Sequence, residues 1–300
     1  MEKVFYNPLN GYLRKRFGCK VYKISLDAGF TCPNRDGKIG TKGCIFCSQG
    51  GSGDFAGNRN DSIEKQLLYG KQLIKKKLPD EAVKYIAYFQ AFTNTYAPVE
   101  VLEDRFTRAI SDPEVVCLSI ATRPDCLPEE VLSLLERLNK IKPVWVELGL
   151  QTIHEKTAEY IRRGYSLSVF DEAVSNLKAR GIEVITHVII GLPGENLEMM
   201  KETVKYVADS GVKGIKLQLL HVLKNTDLYE DYKQEKFRTM ELEEYVETLR
   251  ELVLLLPEDM VVHRLTGDGD KKILAAPMWS TDKKKVLNTI GKVICPRGEM

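Results

Sequence analysis

The feature that most constrains this chain is an alternation that runs through most of its 300 residues. Short stretches rich in Val, Ile, Leu and Tyr are followed by longer ones in which apolar residues recur at helical spacing. Strands that alternate with helices predict a parallel sheet with crossover helices. Six strands are expected, at 21–26, 85–91, 115–121, 144–150, 183–190 and 215–220, with a seventh at 260–265 after the last long helix. The intervening helices are expected at 62–77, 99–111, 128–139, 154–162, 168–180 and 197–210. Six βα units suit an α/β fold of the incomplete (β/α)6 barrel type, with an open doubly wound sheet as the rival, and in both the site lies at the C-terminal ends of the strands. No repeat of 20–50 residues, low-complexity tract or long Pro/Gly/Ser linker divides the chain. One domain over 1–300 is expected: a core at about 20–265, a basic N-terminal extension at 1–19 and a C-terminal extension at 266–300.

Hydrophobic residues make up 43% of the chain and charged ones 29%, as in ordinary soluble proteins, and no apolar run approaches the roughly 18 residues of a membrane span. The N-terminal segment lacks the apolar core of a secretory signal. The expected setting is therefore the cytoplasm, with no membrane association and with the seven cysteines reduced. The net charge is only +2, yet residues 1–80 carry 15 Lys+Arg against 7 Asp+Glu. The runs Arg14–Arg16 and Lys75–Lys77 inside that segment are either a surface for a polyanion such as RNA or the solvated faces of helices.

The segment from Thr31 to Ser48 places Cys32, Cys44 and Cys47 in one loop just after the first strand. Three thiolates hold three irons of a cubane and leave the fourth iron open to a ligand, the arrangement that a catalytic cluster needs. A zinc site is the alternative, but it wants four ligands, and no His precedes His154. The remaining cysteines, Cys19, Cys117, Cys126 and Cys295, form no motif, and Cys117 reads as a core residue. The Gly-rich stretch 49–57 follows Cys47 directly and belongs with the same loop.

Cys32-x11-Cys44-Ile-Phe-Cys47 resembles the cluster motif of the radical S-adenosylmethionine (SAM) superfamily. The segments ATRPD at 121–125, VELGLQT at 146–152, IRRGY at 161–165 and GLPGE at 191–195, with the stretch Lys216–Tyr229 that contains TDLY at 226–229, narrow the resemblance to the radical SAM domain of the Elongator catalytic subunit. This chain looks like a short bacterial group of such proteins without the acetyltransferase domain. The resemblance implies a [4Fe–4S] cluster on Cys32, Cys44 and Cys47, and SAM bound at the open iron and cleaved to a 5′-deoxyadenosyl radical. It also implies an electron donor of flavodoxin or ferredoxin type. SAM contacts are expected from Glu147 and Gln151, which share one face of a strand, and from Arg163, whose fork suits a carboxylate. Ile189 and Gly191 are expected beside the adenine. The Gly-Gly-Glu common after strand two is absent, and Gln90 is expected to take its contact to the SAM amino group. Arg123 and Asp125 read as substrate contacts or a local ion pair. His187 and His221 read as core histidines unless they face a barrel interior, and His263, Arg264, Asp268 and Asp270 as a lid or a solvated loop. The implied function is modification of the wobble-uridine side chain of tRNA. One alternative is radical SAM chemistry on a small molecule such as a porphyrin precursor, and another is a zinc-stabilised RNA-binding module without catalysis.

Overall fold

The computed structural model describes residues 4–78 and 82–296, so the outermost residues of both expected extensions lie outside it. The elements in chain order are β1 (Val4–Pro8), α1 (Leu9–Phe17), β2 (Lys20–Leu26), α2 (Ile63–Lys75), β3 (Val83–Phe89), α3 (Val99–Ser111), β4 (Val115–Thr122), α4 (Glu129–Asn139), β5 (Val144–Gln151), α5 (Glu155–Tyr160), α6 (Leu167–Ala179), β6 (Glu183–Ile190), α7 (Leu197–Asp209) and β7 (Gly214–Leu219). Beyond them come β8 (Val222–Leu223), α8 (Asp227–Lys233), α9 (Leu242–Val253), β9 (Val261–Arg264), β10 (Leu274–Ala276), α10 (Lys283–Gly291) and β11 (Ile294–Pro296).

Nine strands form one sheet in the order β11-β1-β9-β7-β6-β5-β4-β3-β2, and every pairing in it is parallel. From β2 to β7 spatial order follows chain order without a reversal, so the chain has no topological switch point there and the doubly wound alternative falls away. Right-handed crossovers then put the helices on one face, and the six strands make the expected incomplete (β/α)6 barrel. The pleat sorts the side chains. On β5, Val144, Val146, Leu148 and Leu150 join the main core under the helices, whereas Glu147, Gly149 and Gln151 line the barrel interior.

The N-terminal extension is part of this architecture. β1 sits between β9 and β11, pairing Val4 with Ile294 and Asn7 with Val261. Helix α1 then ends at Gly18, whose φ of 71° lets its N–H close on the Arg14 carbonyl. Leu13 packs with Val21, Ile86, Cys117, Trp145 and Ile185 near the starts of β2, β3, β4, β5 and β6, so α1 plugs the N-terminal end of the barrel. Arg16 pairs there with Glu183, which also accepts from Tyr12 Oη at 3.2 Å. Lys75–Lys77, at the C-terminal end of α2 and leading toward β3, lie at this same end. Both basic runs are thus remote from the cysteine loop, which follows the opposite end of β2.

Candidate active site

The loop carrying the three cysteines is held from within and from one side. The amides of Arg35 and Asp36 donate to the Cys32 carbonyl at 2.8 and 3.2 Å, and the Cys47 amide donates to the Cys44 carbonyl at 3.0 Å. Arg35 turns back, its guanidinium donating to the carbonyls of Cys47 (3.1 Å) and Ser48 (2.6 Å). Gly43 has φ 75°, and a Cβ there would lie 2.9 Å from Arg35 Nε, so glycine is needed for this fold-back. Asn34 Nδ2 donates to the Arg162 carbonyl at 2.8 Å and lies 3.6 Å from Cys44 Sγ, tying the loop to the turn after α5.

Cys32, Cys44 and Cys47 line one cavity of about 810 Å³, a size typical of small-molecule sites. Burial pushes the Cys44 thiol up to about 11, and the Cys47 and Cys32 thiols add to that rise. Such a thiol becomes a thiolate readily only against added positive charge, which a bound metal supplies. Among the described residues no three His, Cys, Asp or Glu side chains form a group placed to hold a single metal ion.

Gln90, Glu147, Gln151, Arg163 and Ile189 line the same cavity. Gln151 adopts φ 70°, and its buried Oε1 has no hydrogen-bond partner among the described residues. A buried acceptor without a donor marks a place for a ligand N–H. Gln90 Nε2 donates to the Ser52 carbonyl at 2.7 Å, which joins the end of β3 to the Gly-rich stretch. Arg163, only 2% exposed, donates to the carbonyls of Thr152 (2.6 Å) and Tyr165 (3.0 Å) and to Glu155 at 3.2 Å. Its own carbonyl accepts from Arg123, which also grips Asp125 through both ends of its fork at 2.9 and 2.8 Å. Gly191 stands apart from the cavity lining. Its φ is 86°, its N–H points at Met200 Sδ, and a Cβ there would meet Met240.

Deeper in the barrel lies a charged layer built around Glu147, which is fully buried. Its Oε1 accepts from Lys23 Nζ (2.5 Å) and Ser119 Oγ (2.7 Å), and its Oε2 from His187 Nε2 (2.8 Å) and from Lys216 Nζ. Lys216 also reaches Tyr88 Oη at 3.2 Å. Strands β2 to β7 each give this layer one side chain. Burial by itself would raise the Glu147 carboxyl, but Lys216 and Lys23 hold it well below the usual carboxylate range. Burial brings Lys216 down to about 7 against the pull of Glu147, and it brings His187 down to about 4 with Lys216 adding to the effect. His187 is therefore neutral at pH 7 and donates from Nε2. Lys23, Tyr88 and Ser119 escape a reading of the sequence by motif, and Lys216 enters it only as the first residue of the stretch 216–229, without a role. Their signal is periodicity: each occupies an inward position on a strand whose neighbouring residues are mostly apolar.

The Gly-rich stretch is packed closely. At Gly51, φ is 60° and a Cβ would sit 2.4 Å from the Phe92 ring, while at Gly53 it would sit 2.4 Å from Ala91 Cβ. Gly51→Ala is expected to cost about 1–3 kcal/mol through overpacking and a strained φ. A urea denaturation midpoint equal to that of the native chain would contradict this packing.

Comparison with known proteins sharpens the picture. Residues 35–207, more than half of the chain, match the profile of the Radical SAM superfamily, and residues 212–294 match a Radical SAM C-terminal domain. The chain belongs to the radical SAM superfamily. It is 48% identical over 293 residues to the Bacillus subtilis (strain 168) protein YtqA, covering 98% of this chain and 90% of that one. It is 30% identical over 156 residues to the tRNA uridine(34) acetyltransferase of Methanocaldococcus jannaschii, covering 51% of this chain and 28% of that protein. An archaeal Methanocaldococcus infernus Elp3 with an N-terminal deletion has the same fold, at a TM-score of 0.65 and 20% identity over 85% of this chain and 58% of the other. The match thus spans little more than half of that structure. Membership of the radical SAM superfamily supports an enzyme. No helix among the described residues is long and apolar enough to cross a membrane.

Proposed function

We propose that this radical SAM chain holds a [4Fe–4S] cluster on Cys32, Cys44 and Cys47, binds SAM in the adjoining cavity, and modifies the side chain of the wobble uridine of tRNA. The observation that carries the cofactor reading is the facing of three thiols and the partnerless Gln151 Oε1 into one cavity. The substrate reading rests on the similarity to a protein named for tRNA uridine(34). When bound, the cluster and SAM supply one-electron reductive cleavage of SAM. The chain's own residues position and enclose. Gln151 accepts from the SAM amino group, with Gln90 beside it, and Ile189 gives the adenine an apolar surface. Arg163 and Gly191 fix the turns around the site, and Glu147 keeps the lysines of the floor oriented. One domain over 1–300 fits the nine-stranded sheet, which has β2 at one edge and β11 at the other. A flavodoxin- or ferredoxin-type protein in the cytoplasm is the donor in this reading.

The test is a mass-spectrometric comparison of tRNA nucleosides from cells with and without the gene. Loss of one modified uridine with accumulation of its precursor is expected, and an unchanged profile would overturn the tRNA reading.

A further inference from the structure

The cavity is lined by eight Lys and Arg side chains against four Asp and Glu. Most of those cations are already committed inside the protein. Arg123 pairs with Asp125, Arg163 with Glu155 and Lys216 with Glu147, while Arg264 and Lys283 share Asp268. Lys271 and Lys272 are different: both are exposed, both line the cavity, and neither is ion-paired among the described residues. Their segment is seated on the barrel end. A Cβ at Gly267 would lie 2.7 Å from the His221 ring, and the Ile273 carbonyl accepts from the Lys224 amide at 2.7 Å. That bond places exposed Lys224, also without an ion pair among the described residues, alongside them.

Resting on the tRNA reading above, we infer that the RNA meets this chain at the mouth of the cavity, with its phosphates against Lys224, Lys271 and Lys272. The basic runs at the other end of the barrel take no part. A reaction inside the barrel needs a base splayed out of its strand and into the cavity, which leaves the flanking phosphates at the rim. Exposed ammonium groups without carboxylate partners there are free to act as point charges for phosphate. Arg14–Arg16 and Lys75–Lys77 are separated from the mouth by the length of the strands, and Arg16 and Lys75 already face Glu183 and Glu114.

The test measures binding of an unmodified tRNA transcript to the full chain across a salt series. It compares the native chain with Lys271→Glu/Lys272→Glu and with Arg14→Glu/Lys15→Glu. The rim variant is expected to bind at least about tenfold more weakly, and its slope of log K against log salt to fall by about two, close to one for each phosphate no longer neutralised. The variant at the opposite end should stay within about twofold of native. Circular dichroism and the Tm check folding, and Lys271→Arg/Lys272→Arg should retain binding. Weakened binding confined to the Arg14→Glu/Lys15→Glu chain would overturn the rim assignment and leave the tRNA reading standing. A native chain without salt-dependent tRNA binding would remove the tRNA reading, and the rim assignment with it.

Discussion

Glu147→Leu is expected to destabilise the fold by about 3–5 kcal/mol at pH 7, the range for removing one partner of a buried ionic group. The carboxylate is the shared acceptor of Lys23, Lys216, His187 and Ser119, so leucine leaves two lysine amino groups, an imidazole N–H and a hydroxyl without their acceptor. The pH dependence identifies the cause. Lys216 sits at about 7 in the folded native chain, below the roughly 10.4 of an unfolded lysine. Between those values the unfolded state binds more protons, so this group makes stability rise with pH. Without Glu147 the folded-state value drops further, and the window of rising stability widens downward from 7. Glu147 itself works in the opposite limb. Its depressed folded-state pKa contributes stability that is present above the ordinary carboxylate pKa and is lost as pH falls through the folded value. Leucine should flatten that acid limb. Glu147→Leu/Lys216→Met should recover part of the loss, because the two side chains touch. Urea denaturation at a series of pH values measures all of this, and a cost below about 1 kcal/mol without a change in pH profile would contradict a charged floor.

Arg163→Met is expected to cost about 3 kcal/mol or more, since methionine keeps most of the stem volume but leaves two buried carbonyls and Glu155 without their donor. The effect should spread to the metal site. The turn that Arg163 holds presents the carbonyls that receive Asn34 and Arg123, and Asn34 touches Cys44. Iron retained after reconstitution should therefore fall along with stability. Arg163→Lys should repair little, because an ammonium cannot reproduce the fork. If Arg163→Met kept native stability and iron but lost SAM affinity, the guanidinium would be a direct ligand of the SAM carboxylate.

The core strands were legible because buried parallel strands read as apolar runs, and the boundaries differ by two residues or fewer where the sequence expected 85–91 and the chain folds Val83–Phe89. Beyond β7, the seventh strand expected at 260–265 is β9 (Val261–Arg264), paired with β7, but β1 and β11 at the far edge of the sheet were not legible. β1 pairs with residues 290 positions away, and no local pattern announces such a partner. Helix α1 reads as a basic arm because only Leu13 along it is buried, yet that residue reaches the core cluster at the barrel end. In the site, the three cysteines stand out because metal ligation imposes spacing on the sequence. Lys23 and Lys216 do not, because a lysine in a strand reads as solvent-facing until the barrel closes around Glu147. Arg163 was visible as a residue but not in its contacts, which depend on carbonyls of the same turn.

The decisive experiment for the cofactor assignment is 5′-deoxyadenosine release from SAM with dithionite after anaerobic iron–sulfur reconstitution, comparing the native chain with Cys44→Ala. The expected result is about four irons and four sulfides per native chain, with release that disappears in Cys44→Ala. A native chain that retains one zinc and no iron, or one that carries a full cluster and releases nothing with or without tRNA, would contradict it.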